Sequence, residues 1–219
     1  MKQKDIVLIG GILLLLVGLV AFVLYKQNFS YRKLPYYTFS MNSDEYLYSD
    51  IPPKHTVGDF DFINQKGEKI NQEKIGNCIY VADYIFTTCP GICKIMTAEM
   101  ADVYKEFKNE PNFKILSHTS KPEEDSISVL LSYAQSKGIE DHGKWLFLTG
   151  NKMELQRMAY QEYGIVNKED LQEEGSFVHT EMLVLVDKNK FIRGYYDGTN
   201  EVEMNQMVRD IKELLKEQF

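Results

Sequence analysis

Residues 78–93 read CIYVADYIFTTCPGIC, and this stretch predicts the strand, loop and helix start around which the fold is organised. The first nine residues are apolar apart from Asp83, which is typical of a strand near the centre of a sheet. Pro90 suits the first position of a helix, where its missing N–H costs nothing, so Cys89 is expected just before that helix. Cys89 and Cys93 are therefore expected at the carboxyl end of a central strand, where sites gather in α/β sheets.

Further strands and helices alternate along the rest of the chain. A hairpin is predicted from residues 59–64 to a return strand at Ile70. Further strands are predicted at residues 113–117, 145–148, 177–186 and 191–196, and helices after Cys93, from Asp125 or Ser126, over residues 152–163 and near the C-terminus. This alternation predicts an α/β fold in which helices flank a mixed sheet, formed by residues 55–219 as one domain.

The N-terminal region predicts a membrane anchor. Residues 6–25 carry no charge and are almost all apolar. About 20 residues at a rise of about 1.5 Å span about 30 Å, which is the thickness of the hydrocarbon core of a bilayer. We therefore expect one transmembrane helix over residues 6–25, preceded by a short cytoplasmic N-terminus over residues 1–5. A bacterial membrane is expected, because no transit peptide rich in Arg and Ser precedes the span.

Residues 26–54 are predicted to form a linker. This segment is rich in Tyr and Ser, ends in Pro52-Pro53 and shows no helical or strand period of useful length. Its tyrosines suit either the membrane interface or packing along the folded domain, and the sequence does not decide between them.

The overall charge argues against one class of partner. With 25 Lys and Arg against 32 Asp and Glu, the formal net charge is −7. Nucleic acid binding requires a basic surface, so a nucleic-acid partner is not expected.

The spacing of Cys89 and Cys93 allows two kinds of chemistry. Four residues of helix separate two α-carbons by about 6 Å, a distance that suits both a disulfide and shared coordination of one metal ion. The N–H groups at a helix amino terminus favour thiolate, which is both the nucleophile and the metal ligand. Cys78 is interpreted as a small buried hydrophobic residue of the strand.

Four histidines are candidates for a third ligand. His55 stands at the start of the domain and His142 in a polar turn, so both are expected at the surface. His118 ends the strand that follows the first helix, and His179 precedes an apolar run at Leu183. On physical grounds alone His118 and His179 are nearly equal candidates.

Several motifs resemble the SCO/SenC family of copper chaperones. They are FTTCPGIC at residues 86–93, LSHT at 116–119 with PEED at 122–125, WLFLTG at 145–150, and GSFVHT at 175–180. The resemblance implies a thioredoxin-like fold and a copper site formed by Cys89, Cys93 and His179. The chain departs from the family pattern at Gly91 and at Lys121, where acidic residues are expected, which puts family-typical partner contacts in doubt.

The resemblance implies delivery of copper, as Cu(I) or Cu(II), to a copper-accepting subunit of a respiratory cytochrome c oxidase. Two thiolates and one imidazole suit soft Cu(I). Because such trafficking takes place outside the cytoplasm, the domain is expected on the periplasmic or extracytoplasmic side of the membrane. The alternative is a membrane-tethered thiol–disulfide oxidoreductase with Cys89 and Cys93 as its redox dithiol. A peroxidase is a third interpretation, which the lack of an arginine near the motif disfavours.

Overall fold

The computed structural model of the protein describes residues 11–22, 33–40, 45–139, 143–167, 171 and 177–218. The chain divides into two units, Met1–Lys33 and Leu34–Phe219. In the first unit, residues 11–22 form helix α1. No helix within the described residues has both the length and the apolar character needed to cross a membrane. Residues 6–10 and 23–25 of the predicted anchor lie outside the described residues.

The second unit is built on one mixed sheet, as predicted. Its nine strands in the described part of the chain lie in the order β2-β1-β9-β8-β5-β6-β7-β3-β4. Strand β5 is parallel to β6, which is parallel to β7, whereas β5 pairs antiparallel with β8. The strands are β1 (Tyr36–Ser40), β2 (Glu45–Ser49), β3 (Phe62–Asn64), β4 (Lys69–Ile70), β5 (Ile79–Ile85), β6 (Phe113–Thr119), β7 (Trp145–Thr149), β8 (Met182–Val186) and β9 (Ile192–Asp197).

Helices connect the strands and cover the sheet. They are α2 (Gln72–Ile75), α3 (Ile92–Phe107), α4 (Ile127–Ser136), α5 (Lys152–Arg157), which continues as a π-helix over Met158–Glu162, and α6 (Glu201–Gln218). Polar side chains cap three of them: Asn71, Ser126 and Asn151 each accept a hydrogen bond from a backbone N–H in the first turn. Ser126 is thus the cap of α4, which leaves Asp125 free for another role.

Two apolar cores lie on opposite faces of the sheet. Because side chains alternate along a strand, Val81 and Ile85 of β5 join the core that includes α3 and α6, whereas Ala82 and Tyr84 join the core beside α5. Both faces of β5 are buried over its whole length, which explains its almost uninterrupted apolar sequence.

The predicted linker over residues 26–54 differs from the structure. Strands β1 and β2 form an antiparallel hairpin, and Tyr37 of β1 pairs with Ile192 of β9. The hairpin escaped the sequence analysis because it lies at the sheet edge, where β2 is exposed and no alternating pattern is required. The rings of Tyr37 and Tyr46 pack on Tyr195, so these tyrosines lie along the folded domain, whereas Tyr48 is 76% exposed.

The strand predicted over residues 177–186 is shorter in the structure. Strand β8 begins at Met182, and residues 177–181 have no regular secondary structure. His179 therefore lies in an irregular segment before the strand. An apolar run does not reveal where backbone pairing begins, and β8 takes up its pairing with β9 only at Met182.

Candidate metal and dithiol site

The two cysteines of the motif lie where β5 gives way to α3. The Cys89 N–H donates to the Phe86 carbonyl at 3.1 Å, which closes a turn after the strand. Helix α3 begins at Ile92 with Gly91 as its N-cap. The prediction that Pro90 opens the helix is therefore wrong, because the chain first completes this turn. Cys89 lies in the turn and Cys93 in the first turn of the helix.

Both thiols are buried and free, and their acidities differ. Burial by itself raises the pKa of Cys89. The pKa nevertheless lies below the ordinary thiol value, because Cys89 accepts hydrogen bonds from the Cys93 thiol and from the N–H groups of Cys93 and Gly91, and because the charge of Lys94 is nearby. Burial, the hydrogen bond to Cys89 and nearby negative charge raise the pKa of Cys93 to about 12. Cys89 is thus the more acidic thiol of the pair, and Cys93 holds its proton more tightly.

A buried carboxyl group lies close to this pair. Asp83 of β5 is fully buried, and neither of its oxygens has a well-formed hydrogen bond among the described residues. Burial raises the pKa of Asp83 to about 7, an effect that Ser117 offsets in part. Its charge contributes to the raised pKa of Cys93.

A second buried carboxyl group, Asp125, holds the cysteine loop. It accepts hydrogen bonds from the Thr87 hydroxyl at 2.5 Å and from the Thr87 N–H at 3.3 Å. It also accepts one from the Thr119 hydroxyl at 2.5 Å. Asp125 therefore joins the loop that carries Cys89 to the loop that follows β6.

Two aromatic rings connect the segment that bears His179 to the cysteine loop. The Phe86 ring packs beside Cys89 and Cys93, and the Phe177 ring meets Phe86 edge-on at 5.2 Å between centroids. The His179 ring lies 6.2 Å from the Phe177 ring and is exposed. No three His, Cys, Asp or Glu side chains within the described ranges are grouped closely enough to hold a metal ion. The structure thus joins the two thiols, while the third ligand stays a prediction.

The fold separates His118 from the thiols. His118 is fully buried among the rings of Phe62, Tyr84 and Tyr163, in the core on the sheet face opposite α3. Its Nε2 lies 3.2 Å from the Tyr163 hydroxyl. Burial lowers the pKa of His118 to about 3, so this imidazole is neutral. Of the two histidines that the sequence made nearly equal candidates, His118 is therefore excluded, because strand alternation directs its side chain to the sheet face away from α3.

The remaining candidates lie away from the site. His55 is at the surface, as expected, with its Nε2 3.9 Å from a Glu162 carboxylate oxygen. His142 lies outside the described residues. The interpretation of Cys78 as a buried strand residue is wrong: it precedes β5, is partly exposed, and its Sγ lies 3.8 Å from the Pro111 carbonyl. An apolar pattern extends readily past the end of a strand, which explains this error.

Sequence reasoning gave Asp83, Asp125, Lys121 and Phe177 no role at the site. The lone charge of Asp83 in an apolar strand was an available signal, because buried carboxylates are rare. The sequence pattern indicated that Asp125 caps a helix, and Lys121 was noted only as a departure from a family pattern. Phe177 carried no signal of its own, since only the folded chain brings it to Phe86.

Comparison with known proteins places these features in a family. The sequence profile of SCO1/SenC matches residues 49–216. The chain is 29% identical over 163 residues to an SCO1 protein homolog of Bacillus subtilis, covering 74% of this chain and 83% of that protein.

Solved structures agree with this match. The fold resembles that of BsSco, with a TM-score of 0.63 and 28% identity, and the match covers 76% of this chain and 96% of that chain. BsSco is described as having a disulfide switch and as a member of the Sco family of cytochrome c oxidase assembly proteins. It also resembles Arabidopsis thaliana ScoI with copper bound, with a TM-score of 0.58, covering 74% of this chain and 99% of that chain; at 19% identity this likeness concerns the fold alone.

Proposed function

Since this chain belongs to the SCO1/SenC family, we propose that it carries copper and assists assembly of the copper centre of a cytochrome c oxidase. The observation that carries this proposal is the pair of adjacent, buried, free thiols at the start of α3, one of them acidified. Such a pair offers soft sulfur ligands to Cu(I), which needs few ligands.

The copper ion is the cargo of this site. Cys89, the more acidic thiol, loses its proton more readily than Cys93, and both thiols release their protons when the ion binds, because a coordinating thiol is deprotonated. His179 supplies the third ligand. Transfer proceeds by exchange of these ligands for cysteines of a copper-accepting oxidase subunit. One copper ion per chain is expected.

Membrane attachment is part of the proposal. Residues 6–25 anchor the chain in the bacterial cytoplasmic membrane with a single pass, and residues 1–5 lie in the cytoplasm. The uncharged, apolar composition of residues 6–25 supports this assignment. The folded unit then lies on the periplasmic or extracytoplasmic side.

Anaerobic titration of the reduced protein with Cu(I), in the presence of a competing chelator, tests the copper site. Cys93→Ala should abolish tight binding, and His179→Ala should weaken it at least about tenfold, since a ligand is lost. His118→Phe is the matched control and should leave affinity unchanged, because that ring is buried on the other face of the sheet. Unchanged affinity in His179→Ala would remove His179 from the ligand set.

A second candidate function is reduction of a partner's disulfide, which the unequal acidity of the two thiols favours. The Cys89 thiolate attacks the partner's disulfide and forms a mixed disulfide, releasing one partner thiol. Cys93 then attacks Cys89, which frees the second partner thiol and leaves a Cys89–Cys93 disulfide. The partner gains two electrons and this chain loses two.

Trapping separates this second function from copper carriage. In Cys93→Ser the mixed disulfide cannot be resolved, so it should accumulate with an oxidised oxidase subunit and appear as a band sensitive to reductant. Cys89→Ser is the control and should form no adduct. If Cys93→Ser also forms none, reduction of this partner is excluded.

A further inference from the structure

A lysine side chain lies between two aromatic rings beside the thiols. The Lys121 Nζ is 4.8 Å from the centroid of the Phe86 ring and 4.9 Å from that of the Phe177 ring. These two rings meet edge-on, at an interplanar angle of 78°. We refer to Phe86, Lys121 and Phe177 as the lysine–aromatic cluster. Both distances are within the range in which an ammonium is attracted to a ring face.

The cluster joins three separate parts of the chain. Phe86 lies three residues before Cys89, and Phe177 lies two residues before His179. Lys121 belongs to the loop after β6 and contacts both rings. The segment that bears the predicted third ligand is thereby attached to the loop that bears the first.

Contacts around Lys121 hold its ammonium in place. Its Nζ lies 3.2 Å from a Glu124 carboxylate oxygen, and the other oxygen of Glu124 accepts from the Thr88 hydroxyl at 3.4 Å. The Lys121 side chain is only 26% exposed. The ammonium therefore has a defined position between the rings.

The segment before β8 is held at two points. The Val178 side chain is buried in the core beside α5. The preceding Phe177 ring contacts Phe86 and Lys121. Loss of the lysine contact alone should therefore loosen the position of His179 without releasing the segment from the domain.

We infer that Lys121 is a positioning residue for His179: it holds Phe177 against Phe86 and so keeps the segment that bears the imidazole attached to the cysteine loop before copper arrives. This inference rests on the proposed copper function. A ligand whose range of positions is already restricted loses less conformational freedom on binding, so copper should bind more tightly.

Substitutions at Lys121 test this role through Cu(I) affinity. Lys121→Met keeps the aliphatic stem but removes the charge, and should weaken Cu(I) binding about fivefold, as expected for the loss of a cation–π contact. Lys121→Arg keeps a cation over the rings and should bind copper like the wild type. Lys152→Met removes a positive charge from the same small surface cavity, which Lys121 and Phe177 also line, and should leave affinity unchanged.

A double-mutant cycle separates positioning from general loss of structure. If Lys121 acts through His179, Lys121→Met should have no further effect on affinity in the His179→Ala background. An equal loss in both backgrounds, or no loss in Lys121→Met alone, would overturn the inference. Equal weakening in Lys121→Met and Lys152→Met would also overturn it, because charge alone would then explain the effect.

A measurement on the copper-free protein keeps this inference distinct from the proposed function. NMR relaxation of the His179 ring should report greater motion in Lys121→Met than in the wild type or Lys121→Arg. Unchanged motion in Lys121→Met would contradict positioning even if the wild type binds copper. Failure of the wild type to bind Cu(I), with the change in motion present, would instead count against the proposed function alone.

Discussion

At the scale of single residues, Asp83 makes the thiol site electrostatically unusual. Its carboxyl group is fully buried, and its negative charge helps to hold the proton on Cys93. A bound cation would reverse this effect, since the same charge would then favour copper beside the thiolates. Asp83 thus disfavours a second free thiolate in the metal-free protein and would favour the copper-bound form of the proposed site.

Replacement of Asp83 by asparagine should change how stability depends on pH. The pKa of Asp83 is about 7 in the folded chain against 3.8 ordinarily, so the folded state binds the extra proton between these values. Its stability therefore falls as pH rises through this window. Relative to wild type, Asp83→Asn should gain about 2–3 kcal/mol between pH 5 and pH 8.

Urea unfolding of the reduced, metal-free proteins at both pH values measures this difference. Comparing the variant with wild type at each pH cancels the titration of groups that do not interact with Asp83. A gap between the two proteins that stays constant from pH 5 to pH 8 would show that Asp83 does not titrate in this range.

At the scale of elements, the loops that follow β5 and β6 act as one unit. Asp125 accepts hydrogen bonds from Thr87 in one loop and from Thr119 at the end of β6. Parallel pairing of β5 with β6 brings the two strand ends to the same edge of the sheet. The cysteine loop is therefore held by a neighbouring loop as well as by its own turn.

Asp125→Ala should loosen this unit. Loss of the buried carboxylate leaves its donors without a partner, so we expect a loss of about 2–3 kcal/mol of unfolding free energy and weaker Cu(I) binding. Ser126→Ala, one residue away, removes the cap of α4 and an exposed hydrogen bond with the Ser128 hydroxyl, and should cost about 1 kcal/mol with copper affinity unchanged. Denaturant unfolding and Cu(I) competition measure both effects. Wild-type copper affinity in Asp125→Ala would mean that the turn alone positions Cys89.

At the scale of the whole molecule, one buried arginine ties the start of the folded unit to its end. Arg193 of β9 donates to the Leu34 and Pro35 carbonyls and to the carboxylates of Asp187 and Glu217. Its guanidinium also lies 4.2 Å from the centroid of the Tyr36 ring. The folded unit therefore includes residues well before the boundary expected at residue 55.

Two fragments test this boundary. A fragment of residues 34–219 should unfold cooperatively, whereas one of residues 55–219 should be less stable by roughly 3 kcal/mol, because Arg193 is buried and loses hydrogen-bond partners. Thermal and urea unfolding compare the two. Equal midpoints would show that the β1–β2 hairpin contributes little to stability.

Local sequence patterns alone predicted much of this protein's fold and its dithiol motif. The apolar run at residues 79–85 indicated the central strand, and alternating strand and helix patterns indicated the mixed α/β sheet, because burial imposes a period on each element. The spacing of Cys89 and Cys93 and the motifs around them indicated the family and the dithiol, since those residues are adjacent along the chain.

Tertiary structure alone decided how distant segments meet. Only strand register shows that His118 faces the core beside α5, away from the thiols. Only folding brings Phe177 and Lys121 to Phe86, and Asp125 to Thr87. The edge hairpin became visible only through its pairing with β9. The physical reason is the same in each case: a contact between segments depends on pairing and burial across the sheet, and these leave no periodic signal in either segment.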